Sequence, residues 1–300
     1  MNLNPACVAI VAFSSCASLG AEPIELVYKF DADTPVRYVM VQDTTQEQAI
    51  QGQRMTTETS VTTHSTTRLL EANEDGSILV GNTTDRISFT MSAPGMEVDY
   101  DSARAGDQAK MSNPVVASMA GMVGSDVQLL IAPDGTVLDV PNIADIQARV
   151  NAMEDPNVQA GAAAMTDKAT VMATNEMNYK LLPTEPVDVG DTWTRSFKIP
   201  FELGEMTTNF DLKLESVKDG IASISITGSM TMPEINQQQI TVTMRDADVS
   251  GSMRFDIEDG VVNRLDLNTL TTMDGRMQGM PDPILNMTMD QRVKMNRVED

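Results

Sequence analysis

Histidine, cysteine and closely spaced carboxylates are the residues with which this chain could do chemistry, and they are few. His64 is the only histidine, set in a threonine-rich run from Thr59 to Thr67, and both cysteines, Cys7 and Cys16, lie within the first 21 residues. One imidazole without thiolates beyond that leader cannot supply the usual ligand set of a zinc site. A Ser-His-Asp triad would lack the Gly-x-Ser-x-Gly elbow that exposes its nucleophile, so His64 is expected to be a sheet-surface residue. Asp31 with Asp33, Asp188 with Asp191, and Asp246 with Asp248 bring oxygens together, but none follows the spacing of a calcium loop. Turn-forming aspartates fit them better. No glycine-rich phosphate cradle occurs, and no cofactor or metal is expected. Carboxylates assembled by folding leave a hydrolase open as a reading, although an aromatic content of 4% gives few platforms for sugar rings.

The 23 methionines are the compositional oddity, grouped at Met111, Met119 and Met122, at Met165, Met172 and Met177, and at Met273, Met277 and Met280. A thioether side chain fills irregular apolar space and adapts to varied partners. Plain core packing is the first reading of these groups and the lining of a loosely specific hydrophobic cavity the second. Soft sulfur ligands for Cu(I) are the third. Met165, Met172 and Met177, with the sole tryptophan, Trp193, are the candidate ligand-binding residues.

The elements that must position them divide at the stretch from Leu181 to Trp193. Pro183 and Pro186 remove backbone donors and push their preceding residues out of the helical region, so a helix must stop near Leu182. Gly190 turns the chain and Asp191-Thr192-Trp193 opens a strand. Ahead of this hinge, Val158, Met165, Met172 and Tyr179 recur every seven residues, the spacing of one helix face. Asn142 is placed as the cap of a preceding helix carrying Ile143, Ile146, Val150 and Met153. A short helix is expected after Asn113-Pro114.

Nearly everything else reads as strand. Ile24 to Phe30 and Val36 to Val41 alternate, and Thr44 to Leu70 reads as a long hairpin turning near Gly52. Asp75-Gly76, Asp134-Gly135, Asp219-Gly220 and Asp259-Gly260 mark tight turns, because glycine reaches the positive φ that such turns require. The fold class is therefore mainly β (α+β), a long antiparallel meander forming a half-barrel or two packed sheets with a helical insertion at about 142–182. Asp33-Thr34-Pro35-Val36-Arg37 echoes Asp191-Thr192-Trp193-Thr194-Arg195, which suggests pseudo-repeats 22–140 and 188–300 joined by 141–187.

Residues 1–21 carry no charged side chain, and Ala6 to Phe13 is apolar but too short to span a bilayer. This is expected to be a secretory signal peptide, followed by a single domain over 22–300. Lipid attachment at Cys16 is the minor alternative. The expected protein is exported, to the periplasm or beyond, with no transmembrane segment after cleavage. Its net charge of −22 excludes nucleic acid as a partner.

Asp99-Tyr100-Asp101-Ser102, Pro133-Asp134-Gly135-Thr136-Val137, the phrase Leu182-Pro183 through Pro186-Val187-Asp188-Val189-Gly190-Asp191-Thr192-Trp193, and Gly251-Ser252-Met253-Arg254-Phe255-Asp256 together resemble an uncharacterised family of secreted bacterial β-rich proteins. That resemblance implies no activity and no catalytic residues. In fold alone the pattern is distantly similar to the half-barrel of periplasmic lipoprotein carriers, an analogy that licenses no function. Three readings follow, in this order: a non-enzymatic exported protein holding an apolar ligand or lipid-bearing partner in a sheet/helix cavity, a structural or protein-interaction module of the cell envelope, and a hydrolase using carboxylates.

The mature chain is expected to begin between Ser18 and Pro23. N-terminal analysis of native material checks this, and an intact Met1 would overturn it.

Overall fold

The computed structural model describes residues 22–50, 53–107, 113–152, 159, 163, 166–201, 204–237, 240–277 and 283–298. Over these the chain forms one thirteen-stranded sheet. Its strands are β1 (Val36–Ile50), β2 (Gln53–Ala72), β3 (Ile78–Ala93), β4 (Met96–Asp101), β5 (Asp126–Ile131), β6 (Val137–Asp139), β7 (Thr192–Phe201), β8 (Gly204–Lys218), β9 (Ile221–Thr231), β10 (Ile235–Gln237), β11 (Ile240–Asp256), β12 (Val261–Met277) and β13 (Leu285–Val298). Three helices stand apart: α1 (Pro114–Met122), α2 (Ile143–Asn151) and α3 (Lys168–Tyr179).

The strand order is β6-β5-β3-β2-β1-β13-β12-β11-β9-β8-β7, with β4 added beside β3 and β10 beside β11. The half-barrel reading is the one the structure takes: a single antiparallel sheet that does not close. First and last strands pair along their whole length, from Arg37 opposite Val298 to Ile50 opposite Leu285, and so join the two halves of the chain. Both edge strands, β6 and β7, pack against α3. The sheet therefore curls until one helix bridges its free edges.

Strand parity divides the residues between two faces. On β8, Phe210, Leu212 and Leu214 point inward with Ile224 and Ile226 of β9 and Met253 and Phe255 of β11, and these form the first core. A second core holds Val80, Leu129, Ile131, Val137 and Val140 under α2 and α3, and a third sets Phe89 and Tyr100 against Val116 of α1. Residues 24–30 were expected to be a strand. Only Ile24 makes a bridge, to Val187; the rest crosses the inner face, where Leu26 is buried. Inside the curl the aromatic contacts of this segment replace a ladder. Tyr28 lies edge-on to Phe255 of the first core and to Tyr179 of the second, both at 5.7 Å, and stacks with Phe30 at 6.2 Å.

The helix ends are held by local chemistry. Asp167 caps α3, accepting from the Ala169 and Thr170 amides. Asn142 precedes α2 but makes no side-chain cap bond. Its amide instead clamps β5, accepting from Gln128 N at 3.0 Å and donating to Asp126 O at 2.8 Å. A buried strand edge with unpaired backbone groups outcompetes a helix end that water can reach. Val158, Met153 and Gly52 lie outside the described residues.

The end of α3 is fixed from both sides. Trp193 Nε1 donates to Leu181 O at 2.8 Å, and Arg195 donates to Lys180 O and Leu182 O, all across from β7. Across from β5 and β6, the turn glycine Gly135 has φ +86°, and a Cβ there would sit 2.0 Å from Tyr179 O. Replacing Gly135 by Ala combines a left-handed backbone, costing about 1–2 kcal/mol, with overpacking worth about 1–3 kcal/mol. Urea unfolding of Gly135→Ala should lose about 2–4 kcal/mol with an unchanged m value.

Burial, aided by the other tyrosines, raises the Tyr28 and Tyr38 phenols far above their ordinary range. Burial pushes Tyr179 up to about 12, against a lowering hydrogen bond from Asn82, and raises Tyr100 beside Asp107. A phenol that ionises later in the folded state contributes stability that is present below about pH 10 and is lost as pH rises toward the folded value. Tyrosinate absorbance should therefore appear together with loss of the β circular dichroism, above the pH of free tyrosine. Titration of these phenols in an intact fold would contradict the burial.

Candidate functional site

The residues with chemical potential in the sequence do not converge. His64 sits on β2 opposite Val39 and Arg86, on a shallow cleft shared with Arg37, Tyr38 and Asp85. Asp31 accepts from the Asp33 amide, and Asp191 from the Asp188 amide, each within a turn. Asp246 and Asp248 are both exposed on β11. Among the described residues no three His, Cys, Asp or Glu side chains group to hold a metal.

An open cleft of about 940 Å³ between β1, β2, β3 and β4 is lined by Asp43, Glu58, Glu97 and Asp99. Asp43 accepts from Ser60 Oγ at 2.6 Å and Asp99 pairs with Arg104 at 2.9 Å. All four carboxylates are exposed. None has the desolvated setting that tunes a catalytic carboxyl.

Of the candidate ligand-binding residues, Met177 and Trp193 pack together against the first core and Met172 against the second. Trp193 is half-buried rather than fully enclosed. Met165 lies outside the described residues. The two methionines of α3 thus serve different cores.

An apolar cavity of about 340 Å³ lies beside them, between the three helices and the sheet. Ile146 and Val150 of α2, Val171 of α3, Val127 of β5 and Met122 of α1 supply its apolar wall. Thr166, Thr170 and Thr174, one turn apart toward and along α3, line it with hydroxyls. Amphipathic spacing explains α2: residues 143, 146 and 150 face inward while Asp145 and Arg149 stay exposed. The volume falls within the range of small-molecule sites, about 300–1,000 Å³. Sequence periodicity marks the α2 face through Ile146 and Val150, whereas the α3 residues that line the cavity lie off the stripe of Met172 and Tyr179, and none of Met172, Met177 and Trp193 lines it. A shared void between three helices has no periodic signature.

Farther along the strands the inner face changes composition, and its side chains are buried or half-buried. Cross-strand register sets Met244, Met273 and Met287 side by side on β11, β12 and β13, followed by Gln48 and Met55 on β1 and β2. The adjoining row is Ala247, Thr271, Met289, Gln46 and Thr57. Gln46 Nε2 donates to Met287 Sδ at 3.2 Å, and Thr271, 1% exposed, leaves its hydroxyl without a partner. The spacing Met287-x-Met289 shows in the sequence that both face one side. Their meeting with Met244 and Met55 depends on register between separate hairpins.

No helix among the described residues is long and apolar enough to cross a membrane. Among solved structures the chain is similar to lipovitellin, in a structure concerned with lipid–protein interactions, at TM-score 0.49 and 8% identity over 90% of this chain and 26% of that one. It spans about a quarter of that protein's length. DynF from the dynemicin biosynthesis pathway of Micromonospora chersina aligns at TM-score 0.20 and 7% identity, over 93% of this chain and 86% of that chain. An outer membrane channel from Pseudomonas putida F1 aligns at TM-score 0.26 and 7% identity, over 93% and 100%. No curated protein matches. A family of unknown function, DUF6263, matches residues 75–262, from the turn before β3 to the start of β12 and so across all three helices. That stretch is more than half of the 300 residues, and the chain belongs to this family.

Proposed function

We propose that the protein is a non-enzymatic, exported binder that holds an apolar ligand between its helices and its curved sheet. The observation that carries this reading is the cavity of about 340 Å³ walled by Ile146, Val150, Val171, Val127 and Met122. Cores normally close to near-crystalline density. An unfilled apolar space of this size forfeits dispersion contacts along its whole lining, and a ligand restores them. The walls come from three helices, of which α3 is held at the sheet edges while α1 and α2 touch the sheet more sparsely, so α1 and α2 are the walls that can yield to a guest. Export agrees with a chain free of cysteine beyond residue 16.

The test is uptake of an environment-sensitive apolar dye by the full chain. Wild type should bind it, and filling the cavity with Val150→Phe should weaken binding at least about ten-fold, the worth of about 1.4 kcal/mol, with the β circular dichroism unchanged. Should Val150→Phe fail to fold, Thr170→Phe fills the same space from α3. A wild type that takes up no dye overturns the proposal. Retention of dye by both filled variants, with loss in Met273→Lys, would move the ligand to the methionine-lined inner face.

A further inference from the structure

The arginines of this chain are mostly claimed by carboxylates. Arg86 pairs with Asp101, Arg104 with Asp99, Arg245 with Asp274, Arg264 with Asp266, Arg292 with Asp290 and Arg297 with Asp259. With 43 acidic against 21 basic residues, a cation has ample choice of partner. Among the described residues Arg149 makes no ion pair, and neither do Arg54, Arg68, Arg195 or Arg254, but of these five Arg149 is the one that lines the apolar cavity. It lies in the last turn of α2 and, among the described residues, donates from Nη1 to the Gly124 carbonyl at 3.3 Å. Asp145, one turn earlier, is not within ion-pair distance. Arg149 is exposed, and its other N–H groups meet no acceptor among the described residues, so the guanidinium can present the forked geometry that matches a carboxylate.

Resting on the apolar-ligand reading above, we infer that the cavity takes a carboxylate-headed acyl ligand, a medium-chain fatty acid, with its head on Arg149. The tail then lies among Val150, Ile146, Val127 and Val171, and the Thr170 and Thr174 hydroxyls flank the head. A neutral guanidinium partner, such as an ester or alcohol, would gain the apolar burial without the charge-assisted bonds. Charge selects the head group here because Arg149 sets a cation on the wall of a largely apolar space.

Displacement of the bound dye by decanoate and by decanol separates the parts of this inference. In wild type decanoate should compete about ten-fold better than decanol, as expected for hydrogen bonds to a charged group. Arg149→Gln should abolish that preference and leave decanol binding unchanged, while Arg149→Lys should retain part of it, and circular dichroism reports whether each variant folds. Equal competition by the two ligands in wild type, or a preference that survives Arg149→Gln, overturns the head-group assignment and leaves the apolar-ligand reading standing. Failure of dye and decanol alike to bind overturns both. If Arg149→Gln does not fold, raising the salt concentration replaces it: the preference for decanoate should shrink with ionic strength, and a salt-independent preference overturns the assignment.

Discussion

A curved sheet that stops short of closing has two edges to satisfy, and the C-terminal end of α3 is where both are satisfied. The carbonyls of Lys180, Leu181 and Leu182 lie past the last turn, where a helix leaves acceptors unpaired. Trp193 and Arg195 of β7 donate to them, while the Gly135 turn presses against Tyr179 from the opposite edge. Pro183 and Pro186 hold the chain extended immediately afterwards, so that it returns along the inner face to meet Ile24 through Val187. Burial lowers the Arg195 pKa, offset by Asp134, and the guanidinium nevertheless gains three backbone acceptors. The remaining edges are blunted by simpler means: β6 spans only three residues, and β7 carries Pro200 and Lys198.

From this junction the aromatic group follows. Tyr28 contacts both Phe255 and Tyr179, and each such pair contributes about 0.5–1.5 kcal/mol beyond its burial. It also spends its hydroxyl on Asn178 O at 2.8 Å. The N-terminal segment thus ties the end of α3 to the first core. It leaves the other flank of α3, where Val171 and Thr174 face α2, without a filling side chain. The cavity is a consequence of using one helix for two edges: the face that bridges them cannot also close on its neighbours.

Much of this architecture is legible in the sequence because turns are local. Gly76, Gly135, Gly220 and Gly260 all adopt positive φ at the expected Asp-Gly turns, and Pro114 opens α1 as its position predicts. The long polar run from Thr44 to Leu70 lies within the β1–β2 hairpin, its β-branched residues supplying strand propensity while most of them stay half-buried on either face. Residues 24–30 misled because alternation is shared by a strand and by an extended segment threaded through a core. Asn142 misled because its partners, Gln128 and Asp126, lie on a strand whose placement depends on the whole sheet. The methionine groups were read along the chain, whereas Met55, Met244, Met273 and Met287 gather across it. Register between hairpins is set by tertiary packing and has no local signal.

The inner face also changes character along its length, and this follows from what covers it. Where α3 and residues 24–30 lie over it, the sheet presents Leu212, Leu214, Ile224 and Phe255, side chains at 0–1% exposure with few rotamers. Away from these elements, methionine, threonine and glutamine take over, most of them half-buried. A stiff branched residue gains from close packing and loses when left half-wet; a flexible thioether loses less in either state. Threonine keeps the strand propensity of valine while tolerating water. The β11–β12 ladder passes from one stretch into the other through a bulge between Met244 and Asp246, a local change of register that re-aims side chains without ending the pairing. The cavity lies apart from both stretches, over Thr84 of β3 and Val127 of β5, so its floor is set by strand register while most of its wall is set by how the three helices pack.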